Sequence, residues 1–252
     1  TLDRSSAASD VYKRQDVDSV VVPPPQMIAH LQAGRIDGFC VGEPWCASAV
    51  KQNQGFTLAT TQSIWPNHPE KVLGCTQAFV DQYPNTARVL VMAILEASRF
   101  IEQSQENRRS TAQLLSAREY LDAPLDCIEP RLLGAYDDGL GNQWQDPHAL
   151  RFFADGEVNL PYLCDGMWFM TQFRRWGLLR EDPDYLGVAR QVQQLDLYRQ
   201  AATAVGVPAN AQDMRSSLLI DGKIWDGSDP AAYARSFRLH ALADLTSRQA
   251  LR

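Results

Sequence analysis

The residues best placed to do chemistry are Gly42-Glu43-Pro44-Trp45, which close the apolar run Gly38-Phe39-Cys40-Val41. The run is read as a buried strand that stops at a glycine and turns into a helix. Pro44 suits a first helical position, where its missing N–H would have had no partner. The amides of Trp45 and Cys46 then fall in a first turn without intrahelical acceptors, so the junction is expected to cradle an anion. Trp45 adds a ring face and one N–H donor.

Other chemistries leave no pattern. There is no G-x-S-x-G, H-E-x-x-H, G-x-x-x-x-G-K-[ST] or G-x-G-x-x-G, the signatures of a nucleophile elbow, a zinc protease and two phosphate-binding loops. The four histidines, at 30, 68, 148 and 240, lack ligand spacing. Five cysteines (Cys40, Cys46, Cys75, Cys127, Cys164) make an odd set without C-x-x-C, which indicates neither a disulfide framework nor a zinc ribbon. They are read as small buried hydrophobes, and Cys40 and Cys46, which flank the turn, are not expected to pair. Asp137-Asp138 falls in a polar loop and is read as solvated. Asp226-Gly227-Ser228-Asp229-Pro230 departs from the D-x-[DN]-x-[DN]-G calcium pattern. No catalytic residue, metal or cofactor is assigned.

The elements that must hold the turn follow from patterning. The chain has 252 residues, 45% of them apolar, enough for one large domain or two lobes. A net charge of −6 argues against nucleic acid as the main partner. No apolar run approaches the roughly 18 residues of a membrane span. Residues 1–15 are polar, have no signal-peptide h-region and read as a disordered, foreign lead. There is no initiator Met, so the missing signal says little about compartment. Ser19–Val22 and Ile36–Val41 are predicted strands on either side of a short helix over Gln26–Gln32, ended at Gly34. That strand-helix-strand order is an α/β pattern. A short helix from Pro44 to Gln52, an extended Phe56–Thr61, a two-proline loop at Ile64–Pro69 and a strand over Glu70–Cys75 come next. Thr76 caps a helix to Gln82. The helix predicted over Asn85–Gln103 places Leu90, Ala93, Ile94, Ala97 and Ile101 on one face, read as core-facing. Further helices are predicted over Ser110–Ser116, Asp126–Tyr136, Pro147–Phe153, Gly166–Trp176, Pro183–Gln193, Asp196–Val205 and Ala231–His240. In the Gly166 helix Trp168, Met170, Phe173 and Trp176 are read as core. Asp221-Gly222 marks a hairpin within Ser217–Trp225.

Several stretches together resemble the nitrate-binding family of solute receptors, the substrate-binding components of bacterial nitrate ABC importers. They are Pro23-Pro24-Pro25-Gln26-Met27, Gly34-Arg35-Ile36-Asp37 through Trp45, His68 to Gly74, Tyr83-Pro84-Asn85, Trp168 to Gly177 and Asp221 to Gly227. The likeness runs from about Asp16 to Leu242. It implies an α/β, type II periplasmic-binding-protein-like fold: two α/β lobes with a hinge, the anion between them, and a helix-rich C-terminal half. It further implies that the first lobe is incomplete here, its opening strands absent. Residues 16–75 would be the second-lobe segment carrying the anion site, 76–242 a helix-rich remainder packing across both lobes, and 243–252 a frayed tail.

By the same resemblance the substrate-binding residues are Pro24, Val41, Gly42, Glu43, Pro44, Trp45 and Lys71. Relatives that bind bicarbonate carry a carboxylate at the position of Lys71 and recruit calcium, so the lysine favours nitrate or nitrite. A monovalent oxyanion in a partly dry cleft needs one compensating positive charge. A carboxylate beside it is repulsive unless neutralised, so Glu43 is expected to pair with Lys71 or to cap backbone amides. The implied partners are nitrate or nitrite and the permease and ATPase subunits of an ABC importer. Neither nucleic acid nor the membrane is implied, except by association or through a lipid anchor that this chain lacks. The implied location is the periplasm or the outer face of the inner membrane. The alternatives are a cytoplasmic nitrate sensor of the same fold regulating transcription antitermination, a bicarbonate receptor, and an enzyme on a similar two-lobe scaffold.

Overall fold

The structure is a computed structural model that describes residues 18–146, 150–208 and 212–237. The lead over 1–15, residues 147–149 of one predicted helix and the chain after 237 lie outside the described residues. The described chain forms two compact units, one over 22–160 and 197–208, the other over 18–21, 161–196 and 212–237.

The first unit carries the Gly42–Trp45 turn. A 3₁₀ turn, Pro24–Gln26, leads into α1 (Met27–Gln32), and α2 (Trp45–Lys51) packs against α1. A short α3 (Thr61–Ile64) and α4 (Gln77–Gln82) follow. Thr76 caps α4 as its pattern predicts: its Oγ1 accepts from the Phe79 amide at 3.2 Å. The 20-residue α5 (Pro84–Gln103) has proline in its first turn, where a missing N–H costs nothing. The Ser104 hydroxyl caps α6 (Gln105–Ser116), accepting from Asn107 at 3.0 Å. Then come α7 (Leu125–Leu132) and a ribbon of β1 (Ala135–Asp137) and β2 (Gln143–Gln145), antiparallel with Tyr136 opposite Trp144. Ala112, Ala123, Ile128 and Leu132 form the core here, with Trp45, Leu115, Leu121 and Phe152 packed on it. Glu102 ties in the following loop: its carboxylate accepts the amides of Phe152, Phe153 and Ala154.

The second unit is built on α8 (Leu163–Arg175), with α9 (Tyr185–Val192) and α11 (Pro230–Arg235) packed against it. Helix α10 (Leu195–Ala204) leads out of this unit into the first. A two-residue pair, β3 (Ser217–Leu218) and β4 (Ile224–Trp225), makes the hairpin expected around Asp221-Gly222. Its Trp225 indole donates to the Cys164 carbonyl at 2.9 Å. Arg215 binds Asp165 through two hydrogen bonds, at 3.0 and 2.8 Å, in a geometry that fixes both planes.

Several predicted elements differ. Ser19–Val22, Ile36–Val41 and Glu70–Cys75 run without strand structure, and Val20, Val21, Phe56, Leu58, Val72 and Leu73 are exposed. A β-strand is completed by ladder partners, and none of these segments pairs among the described residues. On α5, Leu90, Ala93, Ile94 and Ala97 face solvent, and Ala87, Leu95 and Ser98 are buried instead. The helix predicted to reach Tyr136 stops at Leu132 and gives way to β1. Residues 150–153 are not helical. On α8 the buried side is Leu163, Cys164, Asp165, Met167 and Thr171, and Phe173 is exposed. No described helix is long and apolar enough to cross a membrane.

Candidate functional site

The apolar run ends where expected. Helix α2 begins at Trp45, with Pro44 at its N-cap after a cis Glu43–Pro44 bond. Trp45 donates its amide to the Gly42 carbonyl across a long 3.4 Å, and Ser48 donates to the Pro44 carbonyl at 2.9 Å. The Ala47 amide is taken by Glu43 Oε2 at 3.0 Å. Glu43 thus caps its own helix, where the positive end of the peptide dipoles favours a carboxylate. No hydrogen bond within the described residues engages the amides of Gly42, Glu43 or Cys46. The half-buried Trp45 packs on the core of its unit, so part of its ring is spent on packing.

The charge on Glu43 is met by a residue that the sequence analysis missed. Arg131 of α7 is only 4% exposed, and its Nε lies 3.1 Å from Glu43 Oε1. Its Nη1 donates to the Ala135 carbonyl at 3.2 Å and its Nη2 to the Asp137 carbonyl at 3.0 Å. The guanidinium stacks 4.3 Å from the Tyr136 ring centroid. A buried cation without a counter-charge is costly, and Glu43 supplies one. The sequence held a signal for this: Arg131 follows Ile128 by three and precedes Leu132 on the buried side of α7.

The neighbouring titratable groups are kept neutral. Burial, then the Glu43 carboxylate and Cys40, push the Cys46 thiol up to about 11, against a smaller opposing pull from Arg131. Burial and then Glu43 likewise raise the Tyr136 phenol. Cys46 is therefore a poor nucleophile at neutral pH, and its thiol donates to the Val41 carbonyl at 3.7 Å. All five cysteines are free.

Lys71 reaches the turn from the extended segment. Its Nζ lies 3.2 Å from the point where a Cβ on Gly42 would stand, so only a residue without a side chain leaves the ammonium that approach. The side chain is 85% exposed, and its ion pair is with Glu70 Oε2, at 3.1 Å. Of the two expectations for Glu43, the capping of a backbone amide holds, at Ala47, and the pairing with Lys71 does not: the carboxylate goes to Arg131, because the buried guanidinium needs it and the exposed ammonium does not. Val41 is half-buried and Pro44 buried. Pro24, exposed at the start of the 3₁₀ turn, has no hydrogen bond, ion pair or ring contact with this group among the described residues. The structure therefore places Lys71 beside the turn formed by Val41 to Trp45, and the bonds and ring contacts of the described residues do not link Pro24 to it. Among the described residues no group of three His, Cys, Asp or Glu is placed to hold a metal.

With this geometry in hand, the fold defines a class. Residues 3–116 match the model of the NMT1-like family. The structure superposes on the crystal structure of the periplasmic nitrate-binding protein NrtA from Synechocystis with a TM-score of 0.85 and 34% identity, covering 92% of this chain and 62% of that one. The chain thus has part of a type II periplasmic-binding-protein fold, rich in helix, and the resemblance to nitrate-binding solute receptors is shown in both sequence and structure. Particular relatives carry it further. The nitrate/nitrite binding protein NrtA of a Nostoc species is 36% identical over 239 residues, 92% of this chain and 54% of that protein. In Synechocystis, the nitrate import ATP-binding protein NrtC is 36% identical over 93% of this chain and 35% of its own length. The bicarbonate transport ATP-binding protein CmpC of the same organism is 35% identical over 93% of this chain and 34% of its own length. The chain thus spans about half the length of the binding-protein relative and about a third of the ATP-binding ones.

Proposed function

We propose that this chain supplies the anion-holding wall of an ABC importer's substrate-binding component, which captures nitrate or nitrite in the periplasm or at the outer face of the inner membrane and delivers it to the permease. The observation that carries the reading is the approach of Lys71 Nζ to Gly42, beside a turn whose own carboxylate is already matched by Arg131. Such a turn offers an oxyanion one exposed cation and the amides of Gly42, Glu43 and Cys46. The binding set is Val41, Gly42, Glu43, Pro44, Trp45 and Lys71, with Pro24 proposed on the resemblance alone, and the segment 16–75 carries it. The reaction is binding without catalysis. Likeness to ATP-binding proteins supports ATPase partners for this chain, not ATP binding by it, since no phosphate-binding G-x-x-x-x-G-K-[ST] is present.

Bicarbonate is the second reading, favoured by the likeness to CmpC. Lys71 weighs against it, because an ammonium at this place repels the calcium that a bicarbonate site would recruit. Calorimetric titration with nitrate, nitrite and bicarbonate, each with and without calcium, separates the two. It is run on the chain and on a chimera in which residues 18–237 replace the matching stretch of Synechocystis NrtA. Nitrate and nitrite are expected to bind the chimera tightly and the chain alone only weakly. Bicarbonate binding without nitrate binding would overturn the proposal, and submicromolar nitrate affinity of the chain alone would refute the view that the site needs a facing wall.

A further inference from the structure

We infer that Arg131 is a positioning residue for the anion: it takes up the charge of Glu43 and leaves Lys71 as the cation that meets the ligand. The inference rests on the proposed anion site and adds to it a residue that touches no ligand. Three observations carry it. Arg131 Nε stands 3.1 Å from Glu43 Oε1 inside a nearly closed environment, where screening by water is weak. Glu43 Oε2 accepts the Ala47 amide, and Oε1 faces Arg131 Nε as an ion pair without a hydrogen bond, so the carboxylate is turned to the side of α2 and α7. Lys71 makes no ion pair with Glu43, although its Nζ reaches the adjacent Gly42.

The consequence is a division of labour. A carboxylate one residue from the proposed anion contact would repel a nitrate, and a lysine that paired with it would be lost to the ligand. Arg131 removes both problems. It is held in place by the Ala135 and Asp137 carbonyls and by the Tyr136 ring, and its planar fork fits several acceptors at once. Those same bonds give it a purely structural alternative role, which is to anchor β1 to α7.

Substitutions separate the two roles. The chain is titrated with nitrate to tens of millimolar, followed by the backbone amide shifts of Gly42, Glu43 and Cys46, with the chimera read in parallel by calorimetry. Arg131→Met is expected to weaken nitrate binding at least about tenfold, because it bares the Glu43 charge. The double variant Arg131→Met/Glu43→Gln is expected to regain most of that loss, although it restores none of the bonds to Ala135 and Asp137. Arg131→Lys, which keeps the charge and loses the fork, is expected to stay within about threefold of the parent, and it serves where the Met variant does not fold. A double variant as weak as Arg131→Met, a Lys variant as weak as the Met variant, or no loss in either overturns the inference. Absence of nitrate-dependent shifts in the parent chain and of heat in the chimera overturns the anion site itself, and the inference with it.

Discussion

Replacing Glu70 by glutamine is expected to strengthen nitrate binding, although Glu70 is no part of the proposed site. Its carboxylate holds the Lys71 ammonium at 3.1 Å, with the two side chains 59% and 85% exposed. A ligand that uses Lys71 must compete with that contact. Exposed ion pairs of this kind are worth about 0.2–1 kcal/mol, which corresponds to about 1.4- to 5-fold in affinity. Glutamine keeps the size of the side chain and removes the charge, so the gain is electrostatic in origin and must fade with salt. At 0.1 M ionic strength the screening length is about 10 Å and at 1 M about 3 Å, so the advantage of Glu70→Gln is expected at low salt and lost near 1 M. Calorimetric titration of the chimera, with and without the substitution, at the two ionic strengths reads both effects. Lys71→Met serves as the control and is expected to bind nitrate more weakly than both the parent and Glu70→Gln. Weaker binding in Glu70→Gln at low salt would refute the reasoning, as would a gain that survives high salt, because Lys71 would then not be the cation for which ligand and Glu70 compete.

Three further outcomes follow from the same geometry. Gly42→Ala puts a methyl group 3.2 Å from Lys71 Nζ; the flexible ammonium yields, so the urea midpoint is expected to hold while nitrate affinity falls by up to about fourfold, the cost of moving a charge from about 4 to 5 Å at an effective dielectric near 20. Glu102→Ala leaves the amides of Phe152, Phe153 and Ala154 without their acceptor and frees the Arg108 partner at 3.7 Å, so urea denaturation should show a loss of about 3 kcal/mol. With burial holding the Cys46 and Cys164 thiols near 11, only about one in ten thousand is thiolate at pH 7; alkylation followed by mass spectrometry should label the exposed Cys40 and Cys75 first, with Cys46 and Cys164 rising only as pH climbs toward 11.

Local signals were the legible part of this chain. Thr76, Pro84 and Asp221-Gly222 each act within a few residues, and each did in the fold what its chemistry dictates. Strands are different, because a strand is defined by what pairs with it. Val20, Val21 and Val72 fall in segments with the composition of strands, yet they stand exposed and unpaired among the described residues. The stripe on α5 tells the same story: a 3.6-residue period identifies an apolar face and cannot say what covers it. Leu90 and Ile94 lie on that face and meet solvent, while Ala87 and Leu95 are buried. Trp45 is recognisable in the sequence as an aromatic face beside the turn, but its packing on the Ala112 and Leu132 cluster depends on α6 and α7, far along the chain.

The charges at the turn show why a site can be half legible. Glu43 lies in the anion-cradling junction itself, whereas Lys71 is assigned only through the resemblance to nitrate-binding receptors, and with those two charges alone a mutual pair is one of the natural expectations. The third charge decides otherwise. Arg131 lies 88 residues beyond Glu43 by subtraction of their numbers, inside a helix that looks like core, and nothing local ties it to the turn. Once it is placed, the balance of charge at the turn changes: Glu43 is taken by Arg131 and Ala47, Lys71 is held by an exposed neighbour, and the cation left for a ligand is the exposed one. A weak, exposed Glu70 contact is what a capture site needs, since an anion can displace it at low cost, whereas Glu43, held by a nearly buried guanidinium, is not available to compete for Lys71.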